Sequence, residues 1–185
     1  MKLVFLLEEP SCKECLDILL PLILPPHIKF QCIPHQGKSD LKKSIPIKLR
    51  GWKEPNVKFV IVHDKDNHDC IQLKDDLKKI CLTVLKDDVL IRIVCTELES
   101  WYLGDLKAVS EAYNSKEILS SSNVYKFQDP DSIKDAKEKL KEITDDQYQV
   151  MDGSRRIAKF MDIRQNKSKS FQVFIRGVHD LCKNP

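Results

Sequence analysis

The chain has 185 residues, 42% hydrophobic and 32% charged, enough for one sizeable core with an appendage, which excludes a wholly disordered chain. Net charge is only +3, so bulk charge announces no nucleic-acid binder, and any such signal must lie in its distribution. Seven cysteines form no framework spacing, and Cys32, Cys70, Cys81 and Cys95 lie in or beside apolar runs. That pattern fits free thiols in a reducing cytoplasm rather than a disulfide scaffold.

The N-terminus has no basic lead and no small-residue cleavage site, and Met1 to Leu7 is too short for a secretory core before Glu8-Glu9. Leu16 to Leu24 is apolar but broken by Pro21 and too short to span a bilayer. A soluble cytoplasmic protein without a membrane partner is expected.

Lys2 to Leu7 reads as the first strand. Ser11 and Glu14 have capping-box spacing, and Cys12, Cys15, Leu16, Leu19, Leu20 and Ile23 share one helical face up to Pro25-Pro26. Ile28 to Ile33 alternates as a second strand. Gly37 permits a tight turn, and Ser39 or Asp40 can cap a helix to about Trp52 that Pro46 would kink or divide. Lys58 to Val62 is a third, β-branched strand ending in acid at Asp64 and Asp66. Leu73, Leu77, Ile80, Cys81 and Val84 recur at helical spacing. Val89 to Cys95 is a fourth strand, and Glu97 to about Tyr113 is a helix.

The alternation predicts an α/β fold with a parallel four-stranded sheet flanked by helices over residues 1–113. Residues 114–185 are expected to form a mainly helical extension packed on it, basic toward its end. Within it, 114–123 reads as a loop, 132–143 as a charged helix, 144–153 as a connection, and 154–160 and 170–182 as helices.

The acids carry the functional signal. Glu8-Glu9, Asp64-x-Asp66 and Glu97-x-Glu99 each follow a strand, so a parallel sheet brings them to one edge, where ligands of such sheets bind. Gathered carboxylates repel and raise one another's pKa, and a hard divalent cation such as Mg²⁺ or Mn²⁺ resolves the conflict. Acids that merely complement helix N-termini account for about one per tip, not for pairs at three tips. Asp69 and Asp105 read as helix caps. His35, His63 and His68 offer nitrogen ligands, but their carboxylate neighbours favour oxygen chemistry over zinc. Cys12-x-x-Cys15 is compatible with a redox motif, and no second pair completes a zinc site.

Glu8-Glu9-Pro10-Ser11, Gln36-Gly37-Lys38 and Asp64-x-Asp66, in that order, resemble the Toprim domain of topoisomerases, primases and overcoming-lysogenization-defect nucleases. The chain more closely resembles a Toprim-like bacterial family labelled as a domain of unknown function. The match lies in Glu8 to Ser11, Gly37 to Leu41, Asp64 to Asp66 and Glu97 to Asp105, with Lys169 to Phe171 also similar. Glu9 stands where Toprim sequences usually carry glycine, so the family glutamate falls on Glu8. The resemblance implies a Mg²⁺- or Mn²⁺-dependent nuclease with Glu8, Asp64 and Asp66 catalytic and Glu97 and Glu99 completing the metal ligands. Glu97 comes first of those two, because residues two apart on a helix diverge by about 200°.

The basic residues are Lys38 near a strand tip, and Arg155, Arg156, Lys159, Lys167 and Lys169 in the C-terminal segment, which suit phosphate contacts. The expected partner is nucleic acid, DNA ahead of RNA. A separately encoded ATPase is a further partner implied by the resemblance, since this chain has no P-loop of its own. Two other readings stand beside the nuclease. One is a non-catalytic metal-binding subunit. The other is a receiver-like phosphoacceptor built on Glu8-Glu9, Asp64 and Thr96, which would need a fifth strand.

Overall fold

The computed structural model describes residues 1–66 and 68–183. Four strands, β1 (Lys2–Leu7), β2 (Lys29–Pro34), β3 (Val57–Asp64) and β4 (Leu90–Val94), form one all-parallel sheet in the order β2-β1-β3-β4. Parallel neighbours cannot be joined by a hairpin, so each link carries a helix: α1 (Pro10–Ile23), α2 (Lys38–Gly51) and α3 (Cys70–Leu82). The chain leaves β1 in one direction to reach β2 and returns to the other side of β1 for β3. That reversal puts a topological switch point between the carboxyl ends of β1 and β3.

Alternation along the strands creates two apolar faces. Val4, Leu6, Phe59, Ile61 and Ile91 pack under Leu41, Ile45 and Leu49 of α2 and Leu73, Leu77 and Cys81 of α3. The opposite face, with Leu3, Phe5, Leu7, Val60, Val62 and Val94, receives only α1 from the crossovers, which leaves its β3–β4 half uncovered. The rest of the chain supplies the missing layer. It comprises α4 (Glu99–Leu103), α5 (Leu106–Tyr113), α6 (Ser121–Lys126), α7 (Ala136–Ile143), α8 (Val150–Ala158) and α9 (Lys169–Lys183), with short 3-10 turns at Lys116–Leu119 and Pro130–Ser132. One apolar cluster runs from Leu3 to Val178, so residues on both sides of position 113 share a core.

Trp101 on α4 centres that layer. It is fully buried, stacks edge-on to Phe171 and against Phe174 with both ring centroids at 5.1 Å, and donates from Nε1 to Ser170 Oγ at 2.9 Å. Asn166 Nδ2 donates to the Trp101 carbonyl at 2.7 Å, and the Gly104 carbonyl takes the Lys167 amide. On β4, an edge strand, Arg92 turns its guanidinium onto the carbonyls of Ile91 and Val173.

Several boundaries differ from the sequence expectations. α1 begins at Pro10 with Glu9 as N-cap, and Ser11 lies buried inside it, so the Ser11/Glu14 box does not form; proline at the first helical position supplies the start. α2 starts after Gly37 (φ 89°) rather than Ser39 or Asp40, and stays continuous across Pro46. The helix expected over 97–113 is two helices, because Asp105 accepts from the Ala108 amide and starts α5 afresh. The 114–123 loop holds a 3-10 turn anchored by buried Ile118, then α6 capped by Ser120. α8 begins within the expected 144–153 connection, at Val150. The helix expected over 132–143 starts only at Ala136, after a separate turn.

Gly104 is the closest approach between α4 and the segment before α9. A Cβ there would lie 2.3 Å from Asn166 Oδ1 and 2.9 Å from the Ser168 amide nitrogen. Gly104→Ala is expected to destabilise by about 1–3 kcal/mol in denaturant unfolding. Gly51→Ala, which meets no atom within 4 Å, serves as the control.

Candidate metal centre at the strand tips

The β1–β3 register sets the site. Leu7 pairs with Val62, so one step on Glu8 stands beside His63, and Glu9 beside Asp64. The Asp64 amide donates to Glu8 Oε2 at 3.0 Å, and His63 Nδ1 lies 2.8 Å from the same oxygen and 2.6 Å from the Asp64 carbonyl. Both neighbours of Nδ1 are acceptors, so that nitrogen carries the hydrogen. Burial alone would raise the Glu8 carboxyl, but the His63 hydrogen bond and charge, the Asp64 amide and Lys38 hold it below the ordinary carboxylate value. The His63 ring is fully buried, and its Nε2 has no hydrogen-bond partner among the described residues.

Asp64 behaves in the opposite way. The residue keeps some exposed surface, but its carboxyl is held well above the ordinary range, first by burial and then by Glu8, Glu99, Glu9 and Asp66. Those four acids, from three separate strand tips, all bear on it. Asp66 sits in the left-handed region (φ 48°), its amide on the Thr96 carbonyl at 3.0 Å and its carboxylate 3.4 Å from Lys38 Nζ. Thr96 is left-handed as well (φ 63°), which is strained for a β-branched residue. Its hydroxyl is held by the Cys95 carbonyl at 2.7 Å and Ser100 Oγ at 2.5 Å.

The fourth tip separates its two glutamates. Glu97 lies in the loop before α4 and accepts from the Lys137 amide at 3.0 Å, which caps α7. Glu99 opens α4, is 3% exposed, and accepts from the Tyr148 hydroxyl at 2.9 Å. Burial raises the Glu99 carboxyl despite Lys137 and Tyr148. Glu99 is thus the member of the pair that bears on Asp64, whereas the sequence reading put Glu97 first. Lys137 is half-buried; burial disfavours its charge, yet Glu99, Glu97, Glu9 and Asp64 together raise it.

Among the described residues, no three acids, histidines or cysteines are arranged to hold a metal ion as they stand. Four of the carboxylates have a local partner instead: Glu8 the His63 ring, Asp66 Lys38, Glu97 the start of α7, and Glu99 Tyr148. The all-oxygen donors around Asp64 nevertheless suit a hard cation, which keeps several waters and needs only one or two protein carboxylates.

The basic residues do not make one stripe. Lys38 lies at the strand tips. Arg155 bonds Glu14 at 3.0 Å and Arg156 bonds the Ala112 carbonyl and covers the Tyr113 ring, so both fasten α8. Lys159 is exposed at the end of α8. Lys167 lines a cleft with Asp105 and Phe160, and Lys169 a groove beside β4, 3.9 Å from Asp129. Asp69 accepts from the Ile71 and Gln72 amides and caps α3. Cys12 and Cys15 are buried, the Cys15 thiol pushed up to about 12 by burial, and they fill the apolar face of α1 rather than forming a redox pair. Sequence reasoning missed Lys137 and Tyr148, which sit in a charged segment without motif spacing.

The fold and site together define an all-parallel α/β protein with carboxylates from three strands gathered at its switch point. The chain belongs to the family described as Domain of unknown function (DUF4276), whose profile matches residues 7–179. No curated protein and no solved structure matches it. No helix among the described residues is long and apolar enough to cross a membrane.

Because Asp64 and Glu99 are raised in the fold, the folded chain takes up protons before the unfolded chain does as pH falls. Metal-free protein therefore gains stability from both groups between neutral pH and the ordinary carboxylate range. Glu8, held low, contributes stability above that range and loses it as pH falls through its depressed value. Asp64→Asn removes the larger repulsion and is expected to melt higher than the parent at neutral pH in chelator, with a flatter pH profile. Thermal unfolding from about pH 7.5 to about pH 4.5 checks this, and a lower melting point for Asp64→Asn at neutral pH would contradict it.

His63→Asn keeps a donor near the Nδ1 position, whereas His63→Gln moves it toward Nε2. Metal affinity measured by calorimetry is expected to survive better in Asn than in Gln, which should weaken it by about tenfold or more.

Proposed function

We propose that the protein is a Mg²⁺- or Mn²⁺-dependent phosphodiester hydrolase of Toprim type acting on nucleic acid. The observation that carries this reading is the Asp64 carboxyl at the β1/β3 switch point, raised by burial and by the charges of Glu8, Glu99, Glu9 and Asp66 from three strand tips. Such a cluster of acids calls for a cation, and its place is where parallel sheets bind ligands. Asp64, Asp66 and Glu8 would hold the ion, with Glu99 behind Asp64 and Glu97 a more distant contributor. A divalent cation held by these residues would supply polarisation of a phosphoryl oxygen and an activated water.

The chain's own residues do the rest. His63 fixes Glu8 ionised and oriented across the β1–β3 gap. Lys38, 3.4 Å from Asp66, and Lys137, whose charge Glu99 and Glu97 favour, would supply positive charge to an incoming phosphate. Asp64 must give up its proton for the ion to bind, so affinity rises with pH. DNA is preferred over RNA as substrate class, and a separately encoded ATPase fits as a partner of the kind that Toprim nucleases use.

The non-catalytic subunit reading is favoured by one observation, that no ligand cage is preformed among the described residues, where Glu8, Asp66, Glu97 and Glu99 each hold a local partner. The receiver-like reading lacks its fifth strand in the described sheet.

Mn²⁺ titration and cleavage of single- and double-stranded DNA and RNA test the proposal together. Asp64→Ala is expected to weaken Mn²⁺ binding by about a hundredfold and to abolish cleavage, while Lys137→Met should lower turnover with Mn²⁺ affinity largely kept. Metal binding without cleavage of any substrate would favour the subunit reading. Unchanged Mn²⁺ binding in Asp64→Ala would remove the metal centre altogether.

A further inference from the structure

Two of the seven cysteines stand apart from the cores. Cys70 is the first residue of α3, just after the loop that carries Asp66, and Cys95 follows directly on β4, just before Thr96 and Glu97. Both are partly exposed free thiols, whereas Cys12, Cys15, Cys32 and Cys81 are buried. They line the same groove, about 720 Å³ in volume, together with Ile71, Lys74 and Lys169.

The backbone already holds the two loops side by side. The Lys65 amide donates to the Val94 carbonyl at 2.8 Å, and the Asp66 amide to the Thr96 carbonyl at 3.0 Å. The two cysteines therefore flank a pair of loops already joined by main-chain hydrogen bonds, and both thiols face one groove.

We propose that Cys70 and Cys95 form a reversible disulfide when the protein meets a peroxide, clamping the loop that carries Asp66 onto the loop that carries Glu97. One sulfur attacks a peroxide oxygen; the O–O bond breaks, water leaves, and a sulfenic acid forms. The second sulfur attacks the first, the S–O bond breaks, and a second water leaves as the S–S bond forms. The two thiols are oxidised and the peroxide is reduced. A thiol reductant reverses the step by exchange. The groove outside gives peroxide access, and because Asp66 and Glu97 sit on the two loops it joins, the clamp is a control on the acidic edge. That last consequence rests on the metal-centre reading; the disulfide itself does not.

The sequence makes the test clean. Cleavage after lysine and arginine isolates Cys70 in peptide 66–74 and Cys95 in peptide 93–107, each with no other cysteine. The full chain is treated with hydrogen peroxide, mapped without reductant by mass spectrometry, and followed by amide hydrogen exchange. The expected result is a linked 66–74/93–107 peptide and slower exchange in 64–66 and 94–99. Reductant should reverse both, and Cys70→Ser and Cys95→Ser should each lose both. Over-oxidised single thiols without the linked peptide would overturn the proposal, as would a linked peptide with unchanged exchange in both loops. Mn²⁺ titration of the reduced protein decides the metal reading by itself, so failure of one idea is not mistaken for failure of the other. Where both hold, oxidation weakens Mn²⁺ binding by about tenfold.

Discussion

The pairing of β1 with β3 constrains everything at the carboxyl edge. Once Leu7 lies beside Val62, Glu8 and His63 have to be neighbours, and so do Glu9 and Asp64. Strand register moves in steps of one residue, and a slip of one would turn each side chain to the other face. The runs Leu3 to Leu7 and Phe59 to Val62 are buried on both faces and flanked by Lys2, Glu8 and Lys58, so a slip would draw a charged residue into the core and spoil the fit to both helical layers. The geometry of the acids is thus inherited from apolar packing some distance away. One carboxyl, Glu8, is steadied by a ring and an amide, and the next, Asp64, is crowded by its own kind. A site with one low and one high carboxyl is the arrangement in which acid and base tasks can be divided.

The C-terminal segment is part of that site. Three crossovers cover one face of a four-stranded sheet fully and the other only by half, so the remaining helices are demanded by the uncovered strands. In covering them they bring in Tyr148 and Lys137, which settle Glu99 and Glu97. The same packing that buries Trp101 positions Lys137, whose charge the acids of the edge favour. Stability and electrostatics at the edge are therefore coupled through α4 and α7.

Much of this was legible in the sequence. The strands announced themselves through β-branched runs ending in acid, and a parallel sheet followed from the alternation with helices. The convergence of Glu8 with Asp64 followed from parallel strands sharing one carboxyl edge. What stayed hidden depends on long-range contact. Lys137 and Tyr148 meet Glu97 and Glu99 across about forty to fifty positions of chain, a distance that no local spacing reports. The expected basic run dissolved for a related reason. Arg155 and Arg156 look free in sequence, but their long side chains reach Glu14 and Ala112 and act as fasteners. The break at Gly104-Asp105 has a local signal in Asp105, read as a cap, but the docking of residues 162–168 that holds it lies far downstream and left the two helices joined in the sequence reading.

Arg92 has an effect beyond its own strand. An open parallel sheet ends in two rows of backbone groups that invite another chain to add a strand. At β4 the guanidinium of Arg92 occupies one such carbonyl and anchors to α9, while at β2 the exposed Lys29 and the terminal Pro34 discourage pairing there. Growth of the sheet sideways is obstructed on both flanks, so a second protein, or a second copy, has to meet this one through its helices or its loops.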